Sequence, residues 1–370
     1  METKEKIINF IKKEVVLTVA IVLTIITCFI VPPDEEYLKY FDYNTLIMLF
    51  CMLAVVAGLK STNIFELISR KLINLFHTRR GVIYALVFGT FFFDMFVAND
   101  MSLITFLPLT YIVLHSTKND KYLAFTFIMQ TIAANMGGMI TPYGNPQNLY
   151  LYSYYNIGTT EFFSILLCQS ITVAVLLWIC CSFIHNEPLK LRKNTKIIIN
   201  KSLLYIYLIL FVLVILSIFR VIPYWLSLII VLVTILITDK KRFSQVDYAL
   251  VATFCTFFVF SGNIARIPTI KEFISQIVVK NTMLAGIISC QFISNVPTAI
   301  FLSKFTNNYK DLLIAVNIGS LGILISSLAS LITLKEFLKH QPKNFWKYLV
   351  IFTIFNTIFL LALLLVTRAI

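Results

Sequence analysis

Two kinds of polar interruption occur inside apolar segments of this chain, and each kind occurs twice. The first pair surrounds Asn99 and Asn295, and the second pair begins at Asn135 and Asn317; gapless alignment within each pair superposes these asparagines. Lipid offers the backbone no hydrogen-bond partner, so an interrupted helix at membrane depth persists only where it lines a cavity or is buried in protein. The matched interruptions predict two related repeats that meet at a central polar site.

The composition places the chain among polytopic membrane proteins. Hydrophobic residues make up 59% of it and charged residues 13%, with a mean hydropathy of +0.86, whereas soluble domains contain about 25% charged residues. The net charge of +13 is carried by short connections between apolar segments. This pattern reflects membrane topology, so we expect a lipid bilayer as partner and no binding of nucleic acid.

The apolar segments predict an all-α protein. A spanning helix needs about 20 mostly apolar residues, and nine segments qualify: 15–31, 43–59, 122–155 (broken), 162–184, 202–219, 221–238, 248–264, 312–334 (broken) and 348–367. Regions 81–114 and 282–303 are each interrupted at a polar tip, and each half is too short to cross. These two regions are predicted to be re-entrant hairpins.

The basic residues predict the orientation. With the N-terminus in the cytoplasm, most Lys and Arg residues fall in inner connections, beginning with the lysines at 4–13 and including the cluster at 190–201. This orientation places the C-terminus outside, in a multi-pass protein of the cell membrane. The first hairpin then opens inward and the second outward, so the repeats are predicted to be inverted.

The repeats divide the chain into two alternating parts. Residues 1–78 and 186–280 are predicted to form a scaffold, and residues 79–185 and 281–370 a transport unit that contains both hairpins and both broken helices. Amphipathic stretches near 64–76 and 270–278 precede the hairpins. They are interpreted as helices at the membrane interface that join the two parts, or as simple surface connectors.

The interruptions contain the candidate binding residues. Freed backbone groups, amides and hydroxyls can hold an anion or a hard cation such as Na⁺. The candidates are Asn99, Asp100, Ser102, Gly137, Thr141, Asn145 and Asn148 in the first repeat and Ser294, Asn295, Thr298, Asn317, Ser327 and Ser330 in the second. Asn99, Asp100, Asn145 and Asn295 are the candidate Na⁺ ligands. Each hairpin tip is expected to contact its own broken helix.

Only two acidic residues, Asp94 and Asp100, lie within the apolar segments. An intramembrane carboxylate is costly and is therefore a functional candidate. Asp100 lies in the tip and is the candidate for binding a cation or a proton. Asp94 is six residues earlier and is expected to face partly away from the tip, either pairing with a neighbouring helix or taking part in the site. We expect no metal or organic cofactor, because the histidines and cysteines show no metal-ligand spacing.

The motifs resemble those of the ion transporter superfamily, which includes arsenite-type permeases, citrate-type permeases and dicarboxylate transporters. The first tip (Ala98, Asn99, Asp100) is similar to that of arsenite-type permeases, and the second (residues 294–298) to the hairpin motif found across the superfamily. The broken helices at residues 137–148 and 317–331 are similar to those of the citrate-type and related branches. The resemblance implies an elevator mechanism and a homodimer that forms through the scaffold.

The leading hypothesis is a secondary active transporter, not an enzyme. Its substrate would be a small anion, either a carboxylate or an inorganic oxyanion, and Na⁺ or H⁺ would drive its transport. On the residues alone, a neutral substrate fits equally well. Efflux of arsenite or antimonite and Na⁺/H⁺ exchange are alternatives within transport. A membrane receptor or enzyme without transport activity is the alternative of another class.

Overall fold

The computed structural model describes residues 14–189 and 197–369, and within them every regular element is a helix. The only β-type pairing there is an isolated bridge between Thr78 and Pro188. The all-α prediction is confirmed. The basic residues at 4–13 and at 190–196, which contributed to the predicted orientation, lie outside the described residues.

Six of the described helices are long and apolar enough to cross a membrane. They are Tyr43–Ser61, Asp120–Ile140, Thr159–Ser182, Lys201–Ile218, Tyr248–Ala265 and Pro342–Ala369, of which Asp120–Ile140 and Pro342–Ala369 include 3₁₀ turns. A seventh span results if Pro268–Lys280 and Thr282–Ile293 are counted together, although their axes turn by 117°. The chain is therefore multi-pass by length and composition.

Two of the nine predicted spans are shorter than expected. Val15–Ile30 has 16 residues and Tyr224–Thr238 has 15, which gives lengths of about 24 and 22 Å at 1.5 Å per residue, below the ~30 Å of a hydrocarbon core. Prolines set one end of each helix: Pro32 and Pro33 follow the first, and Pro223 precedes the second. Both helices are apolar, but neither spans a full bilayer without tilt or thinning.

Both interrupted regions form helical hairpins. The first hairpin consists of Arg79–Asp94 and Asn99–Ser116, and the second of Thr282–Ile293 and Asn295–Leu302. In the first, Asp94 bonds to Ser102 at the tip, and a Cβ at Gly89 would contact Phe106 further along, so the arms are antiparallel. In the second, the hydroxyls of Thr282 and Thr306 lie 3.3 Å apart at the base.

Both predicted breaks are present. The first broken helix runs Leu123–Gly137, then the 3₁₀ turn Gly138–Ile140, then Pro146–Tyr154; the second runs Tyr309–Ile318, Leu324–Ser326 and Leu328–His340. Pro146 begins the second half of the first broken helix, at a position that needs no amide donor. Gly322 has a φ of +118°, which few residues other than glycine adopt.

The amphipathic stretches form the helices Ile64–Asn74 and Pro268–Lys280, each directly before a hairpin. Short 3₁₀ turns cover Glu35–Tyr40 and Lys240–Gln245. Beside the first of these turns, the Arg266 guanidinium bonds to both carboxylate oxygens of Asp34 at 2.9 and 2.7 Å. This hydrogen-bonded guanidinium lowers the pKa of Asp34.

The helices pack in two sets. Tyr43–Ser61 contacts Lys201–Ile218 and Tyr224–Thr238, and Tyr248–Ala265 contacts Val15–Ile30. In the other set, Leu123–Gly137 contacts both arms of the first hairpin and Leu328–His340, while Phe345–Ala369 packs on Thr159–Ser182. Contacts also join the two sets, with Tyr248–Ala265 against Asn295–Leu302 and Tyr43–Ser61 against Pro146–Tyr154. The division into a fixed and a moving part remains a prediction.

Candidate functional site

The two hairpin tips share one kind of hydrogen bond. Asn99 Oδ1 accepts from the backbone N–H of Asp100 at 3.0 Å, and Asn295 Oδ1 accepts from Val296 N–H at 3.0 Å. Each asparagine begins the returning helix, where backbone donors lack helical partners. At the second tip, Ser294 has a φ of +71°, a strained conformation for a residue with a Cβ and one that clusters at functional sites.

The first tip is joined to the first broken helix by Asp94. Its carboxylate accepts from Gly138 N–H at 2.8 Å and from Ser102 Oγ at 2.9 Å, and its side chain is fully buried. Thr141 Oγ1 donates to Met95 O at 2.9 Å. The expectation that Asp94 faces partly away from the tip is wrong. The helix ends at Asp94, so the chain turns there and directs the carboxylate back into the break.

The second tip is joined to the second broken helix by Gln291. Its Nε2 donates to Gly319 O and Leu321 O at 2.9 and 3.0 Å, and its Oε1 accepts from Ile323 N–H at 3.1 Å. Ser294 Oγ also donates to Ser326 O at 3.3 Å. Each tip therefore contacts its own broken helix, as predicted. Gln291 was missed in the sequence, although an isolated glutamine in an apolar segment was an available signal.

The two broken helices contact each other directly through their breaks. Asn317 Nδ2 donates to Asn148 Oδ1 at 2.7 Å, and Ser327 Oγ donates to Asn135 Oδ1 at 2.7 Å. Six residues beyond Ser327, Thr333 meets the first broken helix, and the hydroxyls of Thr131 and Thr333 lie 2.8 Å apart. The two polar interruptions thus form one continuous buried network that links the halves of the chain.

A small cavity of about 30 Å³ lies between the two tips. It is lined by Leu53, Ala98, Asn99, Asp100, Met101, Pro146, Gln147, Asp247, Leu250, Asn295, Val296 and Leu328. Both tips and both breaks contribute to the lining, which contains no basic side chain. The volume is close to that of one water molecule in the liquid, so a substrate with several heavy atoms requires the cavity to widen.

Several buried polar atoms around the cavity lack a hydrogen-bond partner among the described residues. They are Asp100 Oδ1, Asn135 Nδ2, Asn145 Oδ1, Gln147 Oε1 and Ser330 Oγ. Leaving such a group unpaired costs about 1–3 kcal/mol, and in a native structure each one calls for a ligand, an ion or a water. These five atoms lie at the first tip and the two breaks, which makes this region the candidate binding site.

Comparison with known proteins agrees with this geometry. The citrate transporter family model matches residues 7–308, which is most of the chain. The chain belongs to the citrate transporter family. This family consists of transporters, so the protein is a membrane transporter and not an enzyme. Among the described residues, no group of three His, Cys, Asp or Glu side chains is placed to hold a metal ion.

Three curated relatives have similar sequences. An uncharacterized transporter of Methanocaldococcus jannaschii is 33% identical over 312 residues, covering 83% of this chain and 84% of the relative. The inner membrane protein YbiR of Escherichia coli is 24% identical over 318 residues, covering 83% and 82%. The low-affinity phosphate transporter PHO90 of Saccharomyces cerevisiae is 31% identical over 104 residues, covering 27% of this chain and 12% of the relative.

In this member of the citrate transporter family, the predicted site residues fall into two groups. Asn99, Asp100 and Asn295 line the cavity. The others do not line the cavity. Among them, Asn148 Nδ2 donates to the carbonyls of Gly138, Met139 and Thr141, and the Thr298 hydroxyl donates to Ser294 O. This second group also contains Ser102, Gly137, Thr141, Asn145, Ser294, Asn317, Ser327 and Ser330.

Asn145 lies apart from the other proposed Na⁺ ligands and close to Asp94. Its Nδ2 donates to Asn135 O at 3.1 Å, which leaves Oδ1 without a donor. A Cβ added to Gly138 would lie 2.5 Å from Asn145 Oδ1 and 2.5 Å from Asp94 Oδ2. Asp94 Oδ2 accepts from Gly138 N–H at 2.8 Å, so Asn145 Oδ1 is the one of these two acceptors that lacks a donor among the described residues.

A larger cavity of about 780 Å³ lies elsewhere, between the surface helix Ile64–Asn74, the first hairpin and the helix Lys201–Ile218. Its lining is apolar, with Phe65, Phe88 and Leu208 among its residues. It lacks the convergent polar groups of a site for a charged solute. The small polar cavity is therefore the better candidate despite its size.

Gly137→Ala should disrupt the site, because a Cβ at this position would lie 2.2 Å from the backbone oxygen of Phe91 in the first hairpin. Backbone atoms cannot move aside as readily as the end of a flexible side chain. We therefore expect this variant to lose about 3 kcal/mol of stability and to lose transport. Thermal unfolding of the purified protein in detergent and uptake into proteoliposomes measure the two effects.

Gly158→Ala is the matched control for this prediction. The nearest heavy atom to its new Cβ would be Glu161 Cβ at 3.9 Å, an ordinary van der Waals contact. We expect the melting temperature and uptake of this variant to equal those of the wild type. Equal melting temperatures for both variants would contradict the close approach at Gly137.

Proposed function

We propose that this protein is a secondary active transporter of a small anion, either a carboxylate or an inorganic oxyanion, coupled to Na⁺ or H⁺. The observation that carries the proposal is the meeting of two hairpin tips and two helix breaks at one cavity with unpaired polar atoms. Irregular backbone of this kind in membrane transporters surrounds the substrate at mid-depth.

The names of the relatives support an anionic substrate. The matching family is described as citrate transporters, and one relative is named a low-affinity phosphate transporter. Both names refer to multiply charged oxyanions. We propose that the substrate of this protein belongs to the same chemical class.

The charge of the site supports coupling to a cation. The cavity contains Asp100 and no basic side chain, so an anion entering alone would meet an uncompensated negative charge. Burying like charges together in a medium of low dielectric constant is strongly unfavourable. A bound Na⁺ or H⁺ removes this repulsion, so substrate and cation bind together. Asn99, Asp100, Asn145 and Asn295 are the proposed Na⁺ ligands, and no cofactor is required.

We propose an elevator mechanism in which residues 79–185 and 281–370 move as one unit against the scaffold of residues 1–78 and 186–280. Both hairpins, both breaks and the cross-links between them lie within the proposed moving unit. This unit can therefore move without separating its own binding residues. The proposal includes inverted repeats, a homodimer formed through the scaffold, and a cell-membrane location with the N-terminus in the cytoplasm.

An uptake screen in proteoliposomes tests this function. Citrate, succinate, phosphate and sulfate are supplied outside, with either an inward Na⁺ gradient, an inward H⁺ gradient or no gradient. We expect one of these anions to accumulate about tenfold above protein-free liposomes under one gradient, and an ionophore that dissipates that gradient to abolish the accumulation. Absence of uptake of every anion, combined with arsenite transport or Na⁺/H⁺ exchange, would replace this proposal by one of its alternatives.

The hairpin topology predicts a specific labelling pattern. Single cysteines at Arg80 and Thr117, the two ends of the first hairpin, should react with a membrane-impermeant maleimide from the same side of the membrane. Cysteines at Asn281 and Asn307, the two ends of the second hairpin, should react from the opposite side. Labelling of the two ends of either hairpin from different sides would show that the region crosses the membrane.

A further inference from the structure

Asp247 brings a second carboxylate to the central cavity. It lies directly before the helix Tyr248–Ala265, in the part of the chain proposed as scaffold, and its Oδ1 accepts from Leu250 N–H at 3.1 Å. It also lines the same cavity as Asp100, which lies in the proposed moving unit. The cavity is only about 30 Å³, so the two aspartates line one small space.

Two acceptors of the residues that line this space lack a donor among the described residues. Asp100 Oδ1 has no hydrogen-bond partner among the described residues. Gln147 is 1% exposed, and its Nε2 donates to Asn317 Oδ1 at 3.4 Å. This bond fixes the amide orientation and leaves Gln147 Oε1 unpaired at the cavity.

The two ionisable side chains that line this space, Asp100 and Asp247, are both acidic. No Lys, Arg or His contributes to the cavity lining. A water molecule could donate to two acceptors, but it would bring no positive charge to a space lined by two aspartates and no basic residue.

We infer that Asp100 and Asp247 together hold one monovalent cation, H⁺ or Na⁺, with Gln147 Oε1 as a neutral third ligand. This inference rests on the proposed function and identifies the scaffold's contribution to its coupling site. Asp247 belongs to the scaffold and Asp100 to the moving unit, so the site is complete only when the two parts stand as they do in this structure. Cation binding therefore stabilises this position of the moving unit.

The alternative is that Asp247 serves only as the N-cap of its helix. Asparagine and serine cap helices about as well as aspartate, so Asp247→Asn and Asp247→Ser remove the charge and keep the cap. Asp42 offers a matched control. It also precedes a helix that begins with tyrosine, its Oδ1 accepts from Thr45 N–H at 3.1 Å, and it does not line the cavity.

The experiment measures uptake by the full-length chain in proteoliposomes, first against Na⁺ concentration at fixed pH and then against pH at fixed Na⁺. If Na⁺ is the coupling ion, Asp247→Asn should raise the Na⁺ concentration for half-maximal uptake about tenfold. If H⁺ is the coupling ion, the pH of half-maximal uptake should fall by about one unit, because removing a nearby negative charge weakens proton binding. Asp247→Ser should give the same shift, while Asp42→Asn should give none.

Unchanged cation dependence in both Asp247 variants would overturn the inference and leave the proposed function intact. A shift of the same size in Asp42→Asn would also overturn it, because the effect would then follow from helix capping. Failure of the proposed function is judged separately on the wild type: uptake that depends on neither Na⁺ nor pH would refute the coupling itself.

Discussion

Asp100→Asn should reduce gradient-driven uptake by about 100-fold, equivalent to about 2.7 kcal/mol, while expression and melting temperature stay near those of the wild type. The substitution keeps the shape and the hydrogen-bonding capacity of the side chain. It removes the one negative charge that the first tip presents to the cavity. The variant should therefore fold but should bind the coupling cation too weakly for a gradient to drive transport.

Asp311→Asn is the control for this change. Asp311, like Asp100, lies in the first turn of a helix. Its carboxylate accepts from Asn308 Nδ2 at 2.8 Å and does not face the cavity, so its uptake should be normal. The initial rate of labelled-substrate uptake, corrected for reconstituted protein, is the measurement. Wild-type uptake by Asp100→Asn would remove this residue from the site.

Asn295→Ala should abolish transport for a structural reason as well as a chemical one. The side chain lines the cavity, and its Oδ1 accepts from Val296 N–H at 3.0 Å and from Ser294 Oγ at 3.3 Å. Alanine removes the side-chain acceptor of Val296 N–H beside Ser294, which already has a strained φ, while the Ser294 hydroxyl keeps Ser326 O as acceptor. We expect the second tip to loosen and uptake to fall by about 100-fold, an effect of about 2.7 kcal/mol on binding and positioning.

The matched control is Asn356→Ala. Asn356 is also fully buried, but it lies in the middle of Phe345–Ala369 and donates only to Phe352 O in its own helix, at 2.9 Å. Uptake by this variant should remain within about twofold of the wild type, since the side chain lies far from both tips in sequence and packs outside the cavity. Equal loss of uptake in both variants would indicate a general cost of removing buried asparagines instead of a role for the tip.

The two tips differ chemically, and this difference suggests that the first tip binds the cation and the second tip binds the anion. The first tip carries Asp100 where the second carries Val296, although the asparagine bond beside them is the same at 3.0 Å. A carboxylate favours a cation, whereas neutral amides and N–H groups at a helix start accommodate an anion. If this holds, Asp100→Asn should affect mainly the cation dependence of uptake, and Asn295→Ala mainly the apparent affinity for the anion.

Much of the architecture could be predicted because the membrane restricts the possible structures. Apolar length, interrupted at Asn99, Gly137, Asn295 and Asn317, predicted the hairpins and broken helices to within a few residues. In lipid an unpaired backbone group is too costly to occur outside a protein-lined site. A polar break in an apolar segment of a membrane protein therefore predicts a protein-lined site more reliably than the same residues would in a soluble protein.

Three residues have contacts that the local sequence does not predict: Asp94, Gln291 and Asp247. A regular helix continued past Asp94 predicts that this side chain faces partly away from the tip. The helix ends at Asp94, however, and its carboxylate accepts from the N–H of Gly138, which lies 44 positions later in the sequence. Gln291 and Asp247 are not among the residues predicted for the site. Asp247 reaches the cavity only through the packing of the helix that follows it.

The amino-acid sequence by itself determined that this chain is an α-helical membrane protein with four matched polar interruptions, because periodicity, length and the lack of hydrogen-bond partners in lipid act locally along the chain. The tertiary structure alone decided which polar groups face one another: Asp94 with Gly138, Asn317 with Asn148, and Asp247 with Asp100 at one cavity. These pairings depend on how helices distant in sequence pack, and no local pattern encodes the distance between two packed helices.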